Sequence, residues 1–246
     1  MLRYILLVLS LLIIACGDDE PNSFLNNIDS SPYYPIDNIV REYRVFQVDI
    51  YNSGQNRDTS TYFLREAPVG IDQNSAGQDI TIIEQSTKVS TMAPYEISQR
   101  VTDQVIGGQA IRTEGNISQI KLYLPPEEDI SWMGNERFDQ NILVTIGTDE
   151  IAYYKDWEST YLSINEEITI ESGSYSDVIT VQHANFENRL EYRFSIEHYA
   201  LGIGLIYRET RVFDTQCFVD CETQEWELKA ETGQIIIQTI VSHLNE

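Results

Sequence analysis

Apolar and polar residues alternate along most of the chain after Pro35, and this period of two predicts β-strands. In the first such segment, residues 40–51, the apolar residues Val48 and Ile50 alternate with Gln47 and Asp49. β-branched and aromatic side chains in such a pattern are typical of a half-buried strand. Turn-forming residues follow at 52–56 (NSGQN), so we expect residues 59–65 to be the partner strand of a hairpin.

The same character recurs at short intervals through the rest of the chain. The further predicted strands are 79–84, 96–105, 119–124, 141–146, 167–171, 177–183, 190–198, 203–213, 225–229 and 234–243. Gly and Pro residues separate many of these segments, for example Gly107-Gly108 and Pro125-Pro126. Clear helical periodicity with caps is missing, and a short helix over 149–157 is the single helical alternative.

So many short strands in one chain predict an all-β protein with antiparallel pairing, placed in a single β domain over residues 36–246. A large sheet must protect its edges from pairing with other chains. A strongly curved or barrel-like sheet does this directly, and a two-sheet sandwich is the alternative.

The N-terminal residues show a different pattern. Arg3 is followed by an almost wholly apolar run, residues 4–15, that is interrupted only by Ser10. This run is shorter than the roughly 20 residues that a spanning helix needs, and it has the length of the apolar region of a signal peptide. It ends at Ala15-Cys16-Gly17.

This ending resembles the lipobox of bacterial lipoproteins, in which a small residue precedes a lipidated cysteine. The resemblance implies that residues 1–15 are a signal peptide cleaved before Cys16, and that Cys16 carries a diacylglyceryl group. In this family the new amino group of the cysteine is usually acylated too. Two or more acyl chains anchor a protein more firmly than one, since each buried CH₂ contributes roughly 0.8 kcal/mol. An ordinary signal peptide with a chance cysteine is the alternative.

Residues 16–35 are rich in Asn, Asp, Ser and Pro and are predicted to be a flexible tether behind the lipidated cysteine. Its acidic run, Asp18-Asp19-Glu20, resembles the short export signal of surface lipoproteins in the Bacteroidetes. The resemblance implies an outer-membrane location with exposure at the cell surface. A generic solvated tether is the alternative interpretation of these three acids.

Several later phrases resemble a group of small, uncharacterised Bacteroidetes lipoproteins. They are Tyr33-Tyr34-Pro35-Ile36 and the segments 43–49 (YRVFQVD), 58–66 (DTSTYFLRE) and 199–209 (YALGIGLIYRE). The chain departs from the family pattern at 37–44, where Gly and Trp are usual. The resemblance implies a lipid-anchored envelope protein with a β domain, and it implies no particular chemistry.

Three cysteines are present, and lipidation of Cys16 would leave Cys217 and Cys221. An even remainder in an exported chain favours a disulfide between them. A zinc site would need further ligands near this pair, and the histidines are scattered. A redox-active pair normally has a C-x-x-C spacing, and this pair has one residue more between its cysteines. Two free thiols are the remaining option.

The formal net charge of -23 argues against nucleic acid as a partner, because acidic surfaces repel phosphate backbones. No nucleotide-loop or nucleophile-elbow motif is found, and Gly202-Ile203-Gly204 is interpreted as a bend. No metal and no cofactor is predicted. We expect His183 and His198 to be solvated residues at strand ends, although a catalytic triad assembled from distant positions stays open.

Acidic pairs such as Glu127-Glu128 and Glu166-Glu167 are expected to form a solvated face rather than a glycosidase site. The three tryptophans, Trp132, Trp157 and Trp226, are expected in the core, and a sugar-stacking platform is the alternative.

The sequence therefore favours a non-enzymatic binding or structural module, held at the membrane by its N-terminal lipid, with a protein, glycan or lipid as unknown ligand. A carrier for an apolar ligand in a barrel-like cavity is the first alternative. A glycan or peptide hydrolase is the second.

Overall fold

The computed structural model describes residues 31–36, 39–217, 219, 221 and 223–245, and in these residues the chain is almost entirely β-structure. The strands are β1 (Ile39–Tyr51), β2 (Asn56–Gln73), β3 (Asp79–Lys88), β4 (Glu96–Ile106), β5 (Gln109–Glu114), β6 (Ile117–Tyr123), β7 (Ser131–Trp132), β8 (Leu143–Ile146), β9 (Asp149–Ala152), β10 (Ser159–Ile170), β11 (Gly173–Glu187), β12 (Glu191–Ala200), β13 (Gly204–Asp214) and β14 (Thr232–Asn245). One helical turn, α1 (Trp226–Lys229), lies between β13 and β14.

Twelve of the strands form one antiparallel sheet in the order β6-β5-β4-β3-β2-β1-β14-β13-β12-β11-β10-β7. Neighbours in the sheet are mostly neighbours in sequence, and the pairing of β1 with β14 joins the two ends of the domain. At this junction Tyr43 in β1 lies opposite Leu64 in β2 and Ile240 in β14. The predicted all-β antiparallel class is confirmed. The two-sheet sandwich alternative is wrong, because strands from the N-terminal and the C-terminal half of the domain belong to the same twelve-stranded sheet.

The sheet curls until its two edges touch. The backbone N–H of Ile120 in β6 donates to the carbonyl of Gly134, just after β7, at 2.9 Å. The indole N–H of Trp132 in β7 donates to the carbonyl of Ile120 at 3.1 Å, and the Tyr161 hydroxyl donates to the carbonyl of Tyr123. No strand ladder joins these edges in the described residues, so the sheet is barrel-like but open.

The folded domain begins earlier than the predicted boundary at residue 36. Tyr33 and Tyr34 are buried in the main hydrophobic cluster. The carbonyl of Pro32 accepts from the N–H of Gly202 at 2.6 Å, and the carbonyl of Pro35 accepts from Arg41 Nη2 at 2.6 Å. The end of the predicted tether is therefore part of the domain, while residues 1–30, including Cys16, lie outside the described residues.

One predicted strand and the single helical alternative were wrong. Residues 225–229 were expected to be a strand, but β13 and β14 pair directly with each other, so the segment between them has no free partner and forms α1. Residues 149–157 were the helical alternative, but the turn at Gly147-Thr148 folds β9 back on β8 as a hairpin.

The β8–β9 hairpin packs on the main sheet. Its buried Ile146 and Ile151 form a cluster with Ala184 of β11 and Val212 of β13. Its turn is held by Gly147, which has a φ of 60° and contacts the ring of Tyr51 so closely that a Cβ atom would overlap the ring.

We predict that Gly147→Ala lowers the free energy of unfolding by roughly 2–4 kcal/mol, since it adds the overlap with Tyr51 to the strain of a positive φ. Gly115→Ala is the matched control: Gly115 has a φ of 59° in another two-residue turn, and a Cβ atom added there would have nothing within 4 Å. The control should lose only about 1–2 kcal/mol. Urea unfolding measures both, and equal losses would show that the Tyr51 contact is unimportant.

Candidate functional site

Alternation along the strands places charged side chains inside the curled sheet as well as apolar ones. The central ion cluster is formed by Glu197, Lys121, Arg208 and His183, which come from β12, β6, β13 and β11. Glu197 accepts from Lys121 Nζ at 2.7 Å, from Arg208 Nε at 2.7 Å and from His183 Nε2 at 2.9 Å. Lys121 lies on an edge strand, so this carboxylate links distant parts of the sheet.

A second buried cluster lies beside the first and is centred on Arg112 of β5. Its Nη1 donates to Glu66 at 2.7 Å, and its Nε and Nη2 each donate to Asp103 at 2.9 Å. Gln85 donates to Glu66 at 2.7 Å and the Tyr34 hydroxyl donates to Asp103 at 2.9 Å. These partners satisfy the guanidinium, so Arg112 is fully engaged by protein groups.

Burial and ion pairing act against each other on the pKa values of these groups. Burial alone would raise the pKa of Glu66, but the Arg112 charge and its hydrogen bonds hold it at about 2. Glu197 has its pKa held well below the usual range by Lys121 and Arg208, again against the effect of burial. Burial lowers the pKa of Lys121 to about 8 although Glu197 opposes the change, and burial also lowers the pKa of His183.

His183 is not the solvated strand-end residue that was expected. It lies within β11, is fully buried, and its Nδ1 is 2.9 Å from Ser159 Oγ. His198 lies within β12, where its Nδ1 is 2.9 Å from Thr180 Oγ1 and its ring stacks on Tyr207. Both predictions failed because the strands continue past these residues.

Ser159, His183 and Glu197 form a hydrogen-bonded chain of the kind that activates a nucleophile in hydrolases. A nucleophile must also reach its substrate. Ser159 and His183 are 0% exposed and Glu197 is 1% exposed. The hydroxyl of Ser159 is packed beside Gly134, where a Cβ atom would come within 3.1 Å of it. The arrangement is therefore a sealed structural network.

A water-accessible cavity adjoins the central ion cluster. We call its smaller part the inner space and its larger part the outer space. The inner space has a volume of about 160 Å³, and its wall includes Lys121, Glu197 and the rings of Tyr153, Tyr154 and Trp157. The outer space is about 690 Å³ and is lined by residues of β2, β3 and β4 and by the loop residues Ala93 and Pro94. Glu114, Arg208 and Ile236 belong to the walls of both spaces.

Arg208 and Glu114 carry charges that the described protein groups satisfy only in part. Arg208 makes one hydrogen bond, from Nε to Glu197, so its two terminal nitrogens have no described acceptor. Glu114 has no hydrogen bond and no ion pair within 4.0 Å among the described residues. Burial lowers the pKa of Arg208, but the charge of Glu197 and then that of Glu114 outweigh it, so the pKa is raised. Further N–H groups on the cavity walls without a described acceptor belong to Gln119, Trp157 and Gln238.

The three tryptophans do not form a shared platform. Trp132 packs with Tyr123 and Tyr161 at ring distances of 5.5 and 5.1 Å, and Trp226 stacks on Tyr192 at 5.7 Å. Trp157 contacts Tyr154 at 5.0 Å in a third cluster. The sugar-platform alternative is therefore wrong, because the three rings belong to separate parts of the core.

The remaining sequence motifs have structural positions. Glu127-Glu128 and Glu166-Glu167 are exposed, as expected of a solvated face. Gly202-Ile203-Gly204 bends the chain from β12 into β13. Cys217 and Cys221 are joined by a disulfide with their Cα atoms 6.0 Å apart.

Two further kinds of feature are missing from the described residues. No cluster of three or more His, Cys, Asp or Glu side chains in them is arranged to hold a metal ion. No helix in this part of the chain is long and apolar enough to cross a membrane.

Sequence reasoning missed the acids and bases that matter most in the structure. Glu66, Asp103, Arg112, Lys121 and Glu197 each occupy an inward position of a strand. The signal was present at Glu197, which shares its strand parity with the buried Ser195 and Tyr199. A charged residue at a parity otherwise occupied by buried residues indicates an internal ion pair.

Comparison with known proteins gives only distant similarity. No family model and no curated protein matches the chain. Two solved structures resemble it in part, each at 9% sequence identity. An inferred exported protein with a YmcC-like fold from Bacteroides fragilis has a TM-score of 0.40, with 84% of this chain and 95% of that chain covered. An inferred lipoprotein from Parabacteroides distasonis has a TM-score of 0.41, with 87% and 99% covered. Similarity at this level does not define a shared function.

We predict that Glu66→Gln removes part of the acid sensitivity of the fold. A carboxyl whose pKa falls on folding stabilises the protein above its unfolded pKa, near 4.5, and this contribution is lost as the pH falls towards 2. A shift of this size corresponds to roughly 3 kcal/mol. Urea unfolding should show the variant less stable than wild type at pH 7, with the difference shrinking by pH 3.

The control is Glu171→Gln, since Glu171 pairs with Arg44 at an exposed site. An exposed pair contributes at most about 1 kcal/mol, so this variant should follow the wild-type curve. If Glu66→Gln followed it as well, the buried pair would not be the source of the acid sensitivity.

We also predict that a fluorophosphonate probe for activated serines does not label the folded protein at pH 7, because Ser159 is sealed from solvent. Mass spectrometry of the treated protein, with Ser159→Ala as the blank, measures this. Labelling at Ser159 in the folded state would restore the hydrolase alternative.

Proposed function

We propose that the mature protein is anchored in the cell envelope through lipid on Cys16, and that its β domain is a non-enzymatic binding module for a small ligand. The observation that carries the binding role is the water-accessible cavity bordered by Arg208 and Glu114. Both charges lack a full set of protein partners among the described residues. Charges at a cavity wall that protein groups leave partly unpaired are available to a ligand with complementary groups.

The proposed anchor rests on the N-terminal sequence alone. The short apolar run ends at Ala15-Cys16-Gly17, and the acidic residues 18–20 follow at once. These features support cleavage before Cys16 and an outer-membrane location with exposure at the cell surface. The distance between the membrane and the domain would be set by the residues between Cys16 and Ser31.

The chemistry of the cavity walls favours this proposal over its two alternatives. A carrier for an apolar ligand would need a mainly apolar lining, whereas Arg112, Lys121 and Glu197 contribute to the wall of the inner space. A hydrolase would need an accessible nucleophile, and Ser159 is sealed. A polar or charged ligand fits the lining best.

The anchor is tested by metabolic labelling with a palmitate analogue. We expect the wild-type protein to be labelled and to sediment with membranes. Cys16→Ala should lose the label and move to the soluble fraction, because the acylated thiol is gone. The matched control is the double variant Cys217→Ser, Cys221→Ser, which keeps Cys16 and should keep the label.

Two results would contradict the anchor. One is a wild-type protein without label, and the other is a Cys16→Ala variant that keeps it. A label lost only in the double variant would place acylation at the C-terminal cysteines instead.

A further inference from the structure

We propose that the cavity binds a free amino acid, with its carboxylate on Arg208, its ammonium group on Glu114 and its side chain in the inner space. This inference rests on the proposed binding role of the domain and specifies the ligand class. It is carried by two opposite charges that border the same cavity without contacting each other.

Arg208 provides the site for the carboxylate. Its Nε is fixed by Glu197 at 2.7 Å, and its side chain remains 19% exposed although it lies inside the curled sheet. The two terminal nitrogens can therefore donate to a ligand. A guanidinium presents parallel N–H groups that match a carboxylate in two-point geometry.

Glu114 provides the site for the ammonium group. It is the last residue of β5 and is half-buried in the walls of both the inner and the outer space. Because no cation of the described residues lies within 4.0 Å of it, a ligand ammonium group would be its close ionic partner.

The pairing of these two charges selects against ligands that carry one charge. A simple carboxylate would satisfy Arg208 and be repelled by Glu114. A simple amine would satisfy Glu114 and be repelled by Arg208 and Lys121. At such a partly solvated wall the effective dielectric is still well below that of bulk water, so each mismatch weakens binding. A zwitterion satisfies both sites at once.

The inner space sets the size of the side chain. Its volume of about 160 Å³ is comparable to that of a cavity of roughly 150 Å³ that accepts benzene. Tyr153, Tyr154 and Trp157 form an aromatic part of its wall. An amino acid with a side chain up to the size of a benzyl group therefore fits, and the larger outer space offers a route of entry.

The test uses the full chain purified in detergent and titrated calorimetrically with L-phenylalanine. Two analogues keep the ring and remove one charge each: 3-phenylpropionate lacks the ammonium group and 2-phenylethylamine lacks the carboxylate. We expect L-phenylalanine to bind and each analogue to bind at least tenfold more weakly.

Glu114→Gln changes the ammonium site while nearly keeping its shape. We expect this variant to lose at least tenfold in affinity for L-phenylalanine and to gain affinity for 3-phenylpropionate, because the repulsion is removed. A merely structural role of Glu114 would weaken both ligands together. Glu167→Gln, at an exposed position of β10, is the matched control and should bind as wild type.

Two outcomes would overturn the inference in different ways. No binding of L-phenylalanine to the folded wild-type protein at 10 mM would remove the amino-acid site. Equal binding of L-phenylalanine and 3-phenylpropionate would replace the zwitterion with a simple anion, and would leave the proposed binding role intact. Neither result bears on the Cys16 anchor, which the labelling experiment tests separately.

Discussion

The curled form of the sheet depends on the hydrogen bonds and ion pairs that the carboxylate of Glu197 makes inside it. This carboxylate receives hydrogen bonds from strands on opposite sides of the interior, Lys121 on β6 and both Arg208 and His183 on β13 and β11. An open sheet with this many strands can coil to different degrees, because the twist between neighbouring strands varies in size although its hand is fixed. Ion pairs across the concave face favour the curled form, in which the two edges meet beside Ile120 and Trp132.

Such an interior carries an energetic cost that apolar packing alone would avoid. Buried ion pairs are often no more stabilising than well-packed apolar residues, while loss of one partner is strongly destabilising. These pairs depend on strand register, since Arg112 contacts Glu66 on β2 and Asp103 on β4, and a slip of either strand would break a contact. The same charges make the cavity polar, so the features that fix the curvature also determine what the cavity can accept.

A hydrogen-bonded chain with the distances of a catalytic triad can act on a substrate only if the substrate reaches its nucleophile. The chain from Ser159 through His183 to Glu197 has distances of 2.9 Å at both links. What separates it from a reactive site is the surrounding packing, including Trp157 stacked parallel to the imidazole. Arg208 and Glu114 differ from this chain because they lie at the wall of the cavity, where solvent can reach them.

Sequence reasoning identified most of the strands, including β1, β3 and β4, because a half-buried strand has a local period of two. It missed β5 and the short strands β7 and β9, and it assigned α1 to a strand. β5 carries Arg112 and Glu114 with few apolar residues, so its pattern resembles a polar loop. Its strand character depends on its neighbours β4 and β6, which provide partners for its backbone groups.

The sequence by itself determined the class of fold and the expectation of a lipid-anchored N-terminus, because alternation and an apolar run ending at Cys16 are local features of the chain. It also indicated that Cys217 and Cys221 could pair. Only the tertiary structure decided that the expected curved sheet is one open barrel rather than a two-sheet sandwich, and which charges lie inside it. The physical reason is that each ion pair joins strands far apart in sequence, as Lys121 and Glu197 do, and no local pattern records which distant residue will lie opposite.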